Sequence, residues 1–283
     1  MSTATLLQTN KAPSKESWLA ELELRFSSRA AKTVMAERRQ RGPLAIQRPF
    51  YPEGDVCHAY VLHPPGGVVG GDRLNITLNV DAHAAALLTT PGATKFYRSA
   101  GQQAHQHQHF KVNGSLEWLP QENIFFPGAN SRLSTHIHLE ADARYIGWEV
   151  QCLGRPVIGE RFERGSLLLS TQLYRNNKPL FIERLTVQGE RDLQGAAGLR
   201  NQPVMANLLA TPATAEVLGL ARSSCEAELM YGVAGATLMN EVLIVRYIGS
   251  STAEAHRLLR TVWQTIRPLI NQRTAVTPRI WNT

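Results

Sequence analysis

The sequence has few of the features that mark secreted, membrane or zinc-finger proteins. Its 283 residues contain three cysteines, Cys57, Cys152 and Cys225, which are odd in number and widely separated. This spacing argues against a disulfide framework or a zinc finger. No segment approaches the roughly 18 uninterrupted apolar residues of a membrane span, and the first 26 residues lack the apolar run of a signal peptide. These absences predict a cytoplasmic protein that does not associate with membranes.

Signals for binding nucleic acids or nucleotides are also missing. The net charge is +7, but the basic residues are spread along the chain, and the one dense run, "ERRQR" from Glu37 to Arg41, lacks interleaved aromatic residues. The glycine-rich stretch "HPPGGVVGGD" ends in the carboxylate of Asp72, where a P-loop has a lysine. It precedes a strand pattern, whereas a dinucleotide-binding loop opens a helix. Two interpretations remain: a pair of structural turns, or a turn that displays His63 and Asp72 to a metal or a partner.

Alternation with period two is the dominant pattern. "RLNITLNV" and "STHIHLEADA" each place apolar residues on one face of a strand and polar residues on the other. "SLLLSTQLY" and "PLFIERLTV" flank "RNNK", which predicts a hairpin with a tight Asn-Asn turn. Many short strands with little helix between them predict a mainly β protein.

Helix signals are concentrated near the C-terminus. Ser251 and Glu254 form a capping box, and apolar residues follow at helical spacing until Pro268, which is expected to end or kink the helix. A second, weaker helix is predicted from Thr214. We expect a single domain over residues 1–283, with residues 1–20 as a flexible arm.

Several side chains could bind a metal. "HQHQH" places His105, His107 and His109 on one strand face, where alternating imidazoles either bind nickel, copper or zinc or line a solvated edge. The polar face of "STHIHLEADA" has the same two interpretations. Cys152 lies in a strand pattern, which favours a small core residue over a reactive thiolate.

Five longer strings occur in order: "HPPGGVVGGD", "TTPGATKFYRS", "LEWLPQENIFFPGA", "IGWEVQCLGRPVIGERF" and "TPRIW". Together they resemble the urease accessory protein D family (UreD, called UreH in some organisms), from about Arg48 to the C-terminus. In the first forty-odd residues and in "HQHQH" we recognise no features of that family.

The resemblance implies a maturation factor without catalytic activity of its own. Such proteins act with a UreF-type protein and a UreG-type GTPase to load nickel into apo-urease, and UreD contacts urease itself. The implied fold is a β-helix-like stack of sheets with few helices. The resemblance also implies weak, transient nickel binding, an internal passage for the ion and no tightly bound cofactor.

Nickel is a borderline metal, so a transfer route would use carboxylates, imidazoles and thiolates that hold it loosely. We therefore predict that Glu140 and Asp142 take part in nickel passage. The further candidates are His138, Asp72, His63 and Cys152. Two other hypotheses are a metal-dependent hydrolase with histidine ligands, which would turn over substrate alone, and a basic nucleic-acid-binding protein, whose binding would fall steeply with salt.

Overall fold

The computed structural model describes residues 17–196, 198–228 and 230–282, so the first 16 residues of the predicted arm lie outside the described residues. The described chain is mainly β, as the sequence predicts. It has a seven-stranded front sheet, a larger middle sheet and a layer of helices behind the middle sheet.

The front sheet consists of five parallel strands with an antiparallel hairpin partner at each edge. Its strands, in spatial order, are β15 (Lys178–Gln188), β14 (Ser166–Arg175), β11 (Asn130–Leu139), β8 (Ala104–Val112), β5 (Arg73–Val80), β1 (Leu19–Arg29) and β2 (Lys32–Arg41). Because β1 begins at Leu19, the last two residues of the predicted arm belong to this sheet.

The middle sheet combines parallel strands with an antiparallel C-terminal part. In spatial order its main strands are β17 (Val233–Met239), β18 (Val242–Gly249), β16 (Val204–Thr211), β12 (Arg144–Arg155), β9 (Ser115–Trp118), β6 (Ala85–Thr89), β4 (Cys57–Leu62) and β3 (Ala45–Ile46). Three short strands flank this path: β7 (Thr94–Phe96), β10 (Asn123–Phe125) and β13 (Glu160–Arg161).

The chain alternates between the two sheets as a β-helix does. It passes from β4 to β5, then to β6, β8, β9, β11, β12 and β14, and each strand pairs in parallel with the corresponding strand of the previous turn. One apolar core fills the space between the sheets, and a second lies between the middle sheet and the helices. The β-helix-like fold that the family resemblance implied is therefore confirmed.

The strand predictions hold in detail at two places and fail at one. In β5 the apolar residues are buried and the alternating polar residues are partly exposed, as expected. In the β14–β15 hairpin, Asn176 and Asn177 both have positive φ, which is the conformation that a type I′ turn requires. The strand predicted for "STHIHLEADA" ends at Leu139, and Glu140 to Asp142 form an exposed turn.

The helices are α1 (Gly189–Gln194), α2 (Ala215–Glu228) and α3 (Thr252–Asn271), with short 3-10 helices at Pro156–Ile158 and Arg279–Asn282. Ser251 caps α3, and its side chain accepts a hydrogen bond from the backbone of Glu254. The Glu254 carboxylate binds the backbone N–H groups of Met230 and Tyr231, which leaves the predicted capping box half formed. Pro268 lies inside α3 and does not end it, because the buried apolar face outweighs one lost hydrogen bond.

Candidate functional site

A row of polar side chains lies between the front and middle sheets. Gln106 and Gln108 of β8 point inward and are buried, while the histidines that alternate with them point outward. Thr135 of β11 is also buried, and Glu149 of β12 lies on the inward face of its strand, in phase with the buried Gln151. Burying a polar group costs free energy unless it is hydrogen-bonded. A row of such groups in the core is therefore a candidate for a functional role.

Three adjoining cavities run along this row. The first has a volume of about 200 Å³ and the third about 300 Å³. The second, about 20 Å³, shares Thr135 and Glu149 with the first, and Glu149, Thr171, Glu183 and Asn207 with the third. A volume of 20 Å³ holds about one water-sized body. The three cavities therefore adjoin one another along this row, and Glu149 lines all of them.

The pKa of the Glu149 carboxyl group lies above the ordinary value of a glutamate. Burial raises its pKa, the nearby charge of Glu183 raises it further, and a hydrogen bond from Thr135 opposes these effects. The Thr135 hydroxyl lies 2.6 Å from Glu149 Oε1 and 3.3 Å from Gln108 Oε1. A positive charge beside Glu149 would favour its ionised form.

The third cavity has a second carboxylate, which is already paired. Asn207 Nδ2 donates to Glu183 Oε2 over 2.8 Å, and Arg246 Nη2 donates to Glu183 Oε1 over 2.6 Å. Arg246 is half exposed. Since both Glu183 oxygens have donors, a cation entering here competes with Arg246 for the carboxylate.

The glycine loop borders the first cavity. His63 is half-buried there, and burial lowers the pKa of its imidazole against the opposing charge of Asp72. Asp72 is buried, and its two oxygens accept the backbone N–H groups of Trp18 and Val69, each over 2.9 Å. A Cβ on Gly67 would lie 2.7 Å from the Lys95 carbonyl oxygen, so the loop needs glycine for close packing. The loop therefore serves to turn the backbone and pack it closely, and it leaves His63 beside the first cavity.

The remaining predicted ligands lie away from the cavities. Glu140 and Asp142 are exposed in the turn after β11, and His138 is on the outer face of the front sheet. Cys152 is buried in the core between the middle sheet and the helices, on the opposite face of β12 from Glu149, and burial raises its thiol pKa to about 12. None of Glu140, Asp142 and Cys152 therefore lines one of the three cavities. Cys152 has the environment of a core residue.

Glu149 and its neighbours were missed by sequence reasoning. The available signal was a single carboxylate inside the apolar run "YIGWEVQCL", because an isolated charge on a buried strand needs a specific environment. Within the described ranges, no three His, Cys, Asp or Glu side chains come together as metal ligands. The described helices include none that is long and apolar enough to cross a membrane.

Comparison with known proteins gives a consistent result. The model of the family described as UreD urease accessory protein matches residues 19–282. The urease accessory protein UreD of Alcanivorax borkumensis is 48% identical over 98% of this chain and 96% of the relative. The protein of the same name from Klebsiella aerogenes is 45% identical over 96% of this chain and 99% of its own length. That from Aliivibrio fischeri (strain MJ11) is 41% identical over 95% of this chain and 98% of its own length. The chain belongs to the UreD family of urease accessory proteins.

Proposed function

We propose that this chain is a non-catalytic scaffold that delivers nickel to apo-urease in the cytoplasm. It would bind the apoprotein together with a UreF-type protein and a UreG-type GTPase, and it would hold Ni²⁺ only transiently. The observation that carries the proposal is the row of three cavities through the interior, with Glu149 lining each of them.

The chemistry of the cavity walls suits a cargo ion better than a resident one. The walls offer separate oxygen donors from carboxylate, amide and hydroxyl groups, with His63 at the first cavity. Nickel is borderline in its ligand preference, and imidazole suits it better than isolated oxygens do. An ion would therefore be held weakly at each position and could move on.

Glu149 would couple ion passage to proton release. Its raised pKa makes protonation of the carboxylate easier than for an exposed glutamate. A divalent cation beside it would favour the carboxylate, because metal binding requires the deprotonated ligand. Each ion that passes would displace a proton, which returns when the ion leaves.

Exposed apolar side chains support binding to partner proteins. Val157 and Ile158 form an exposed apolar tip, and Met230 and Tyr231 form another between α2 and β17. Exposed apolar patches of this kind commonly mark protein interaction sites. All three cysteines are free thiols, in keeping with the reducing cytoplasm.

The test is the nickel content of urease made with its other accessory proteins, in the presence and absence of this chain. The proposal expects nickel and urease activity to fall together when the chain is omitted. Urease with unchanged nickel would contradict it. A catalytically inactive variant of the GTPase serves as the control for complete loss of maturation.

A further inference from the structure

The outer face of the front sheet carries five of the nine histidines in the chain. They alternate with inward-facing residues along the neighbouring parallel strands β8 and β11, and all are at least partly exposed. We call this set the histidine face; its members are His105, His107, His109, His136 and His138. It lies on the other side of the front sheet from the cavities, so the passage does not use it.

Two pairs of these rings lie near each other, and one of them has the ring separation expected for a shared metal ion. The ring centroids of His109 and His138 are 5.2 Å apart, with the rings tilted by 46°. Those of His105 and His107 are 5.7 Å apart. An ion about 2.1 Å from one nitrogen of each ring places the two centroids about 4.5–5.5 Å apart. The centroid separation of the His109–His138 pair lies within this range.

Neighbouring side chains hold two of the rings in place. His138 stacks on Tyr174, with centroids 5.2 Å apart and ring planes within 7°. His107 Nδ1 lies 2.6 Å from the Ser134 hydroxyl oxygen. Because such contacts fix the orientation of the rings before an ion binds, they reduce the side-chain conformational entropy that is lost on binding.

The imidazoles are suited to bind a cation near neutral pH. Burial lowers the pKa of His109 and of His138, and neighbouring histidines and Lys111 lower both further. A lowered pKa makes the neutral form of each ring, which has a free lone pair, easier to reach than in an exposed histidine. Lys111 also repels a bound cation, as Arg73 and Arg132 do beside His105, so binding would be loose and reversible.

We propose that the histidine face is a surface binding site for a divalent late transition-metal ion such as Ni²⁺, held mainly between His109 and His138. Imidazole is a good ligand for this class of ion. With two protein ligands, the ion keeps water in its other positions. The site is separate from the cavities and does not depend on the passage proposed above.

The experiment is equilibrium dialysis of the full-length chain against Ni²⁺, with X-ray absorption spectroscopy of the bound metal. Wild-type protein is expected to show two imidazole ligands, and H109Q/H138Q to lose this signal and to bind Ni²⁺ about tenfold or more weakly, a change of about 1.4 kcal/mol or more. The matched control is H83N, which removes an exposed histidine from a turn off the face.

The results for two further variants separate the alternatives. A variant with all five histidines changed to Gln should lose every surface imidazole ligand, while E149Q should keep the two-imidazole signal because the histidine face is intact. If H109Q/H138Q and the five-histidine variant bind Ni²⁺ as H83N does, the inference is wrong. Loss of the imidazole signal in E149Q would also overturn it, since the ion would then be bound in the interior.

Discussion

Removal of Arg267 should destabilise the protein more than any change at its surface. This guanidinium is completely buried on α3 and binds two carboxylates from distant parts of the chain. Its Nε and Nη2 atoms lie 2.9–3.0 Å from the oxygens of Glu117, and Nη2 lies 2.8 Å from Glu53 Oε1. The cluster joins the helix layer to the middle sheet.

The expected magnitude follows from the charges left behind. Arg267→Ala leaves Glu53 and Glu117 buried without their cation, and breaking a buried ion pair in this way costs about 3–5 kcal/mol. At roughly 2–4 °C per kcal/mol for a domain of this size, the melting temperature should fall by about 10 °C. The double variant Arg267→Met/Glu117→Gln should recover much of this loss, because it removes a charge from each side and keeps an acceptor for the Trp263 indole N–H.

The pH dependence gives a second measure of the same cluster. Burial alone would raise the pKa of Glu53, but hydrogen bonds from His58 and Arg267 outweigh burial and lower it. This stabilisation is present above the unfolded pKa of about 4.3 and is lost as the pH falls through the lower folded value. Without Arg267 the Glu53 carboxylate is protonated more easily in the folded state, so the difference in stability between variant and wild type should shrink in acid.

The assay is urea or thermal unfolding of both variants from pH 4 to pH 8. A difference for Arg267→Ala below about 1 kcal/mol at pH 7, the value typical of surface ion pairs, would refute the reasoning. So would a double variant that is as unstable as the single one.

Two other changes test the interpretation of the predicted ligands. Asp72→Ala should lower the free energy of unfolding, measured by urea denaturation, by about 1–3 kcal/mol, because two backbone N–H groups lose their acceptor. An unchanged midpoint of urea unfolding would mean that the Asp72 carboxylate does not stabilise the fold. In the native protein at pH 8, Cys152 should not react with a thiol reagent such as DTNB, because its buried thiol has a pKa of about 12. It should react once the chain is unfolded. Rapid labelling of Cys152 in the folded chain would contradict this.

Local sequence patterns predicted the elements whose two faces differ in polarity. In β5, Leu74 and Ile76 alternate with Asn75 and Thr77, so the buried face is evident from the sequence. The start of α3 was equally clear, because Ser251 and the helical spacing of apolar residues give independent signals.

The candidate site was not predicted because the "HQHQH" part of β8 is polar on both faces. Only the flanking residues Ala104, Phe110 and Val112, which are buried in phase with Gln106 and Gln108, indicate that the glutamines point inward and the histidines outward. The inward face is set by the β-helix, in which parallel pairing with β5 and β11 fixes the register. Glu149 was hidden for the same reason, since only the pairing of distant turns places it beside Thr135.

The carboxylates at Glu140 and Asp142 remain a prediction of the sequence pattern, now placed in an exposed turn. They and Glu149 are the alternative positions for the proposed passage of nickel. Glu149→Gln should preserve the fold, because glutamine can still accept the Thr135 hydrogen bond and its neutral amide avoids the cost of a buried charge that the raised pKa indicates.

The most direct test of the internal route is the nickel content of urease matured with three forms of this chain: wild type, Glu149→Gln, and the surface variant Glu140→Gln/Asp142→Asn. Metal analysis of the purified urease should show less nickel with Glu149→Gln, at unchanged thermal stability of the accessory protein, and normal nickel with the surface variant. Normal nickel with Glu149→Gln and a loss with the surface variant would contradict the internal route and assign passage to the outer turn.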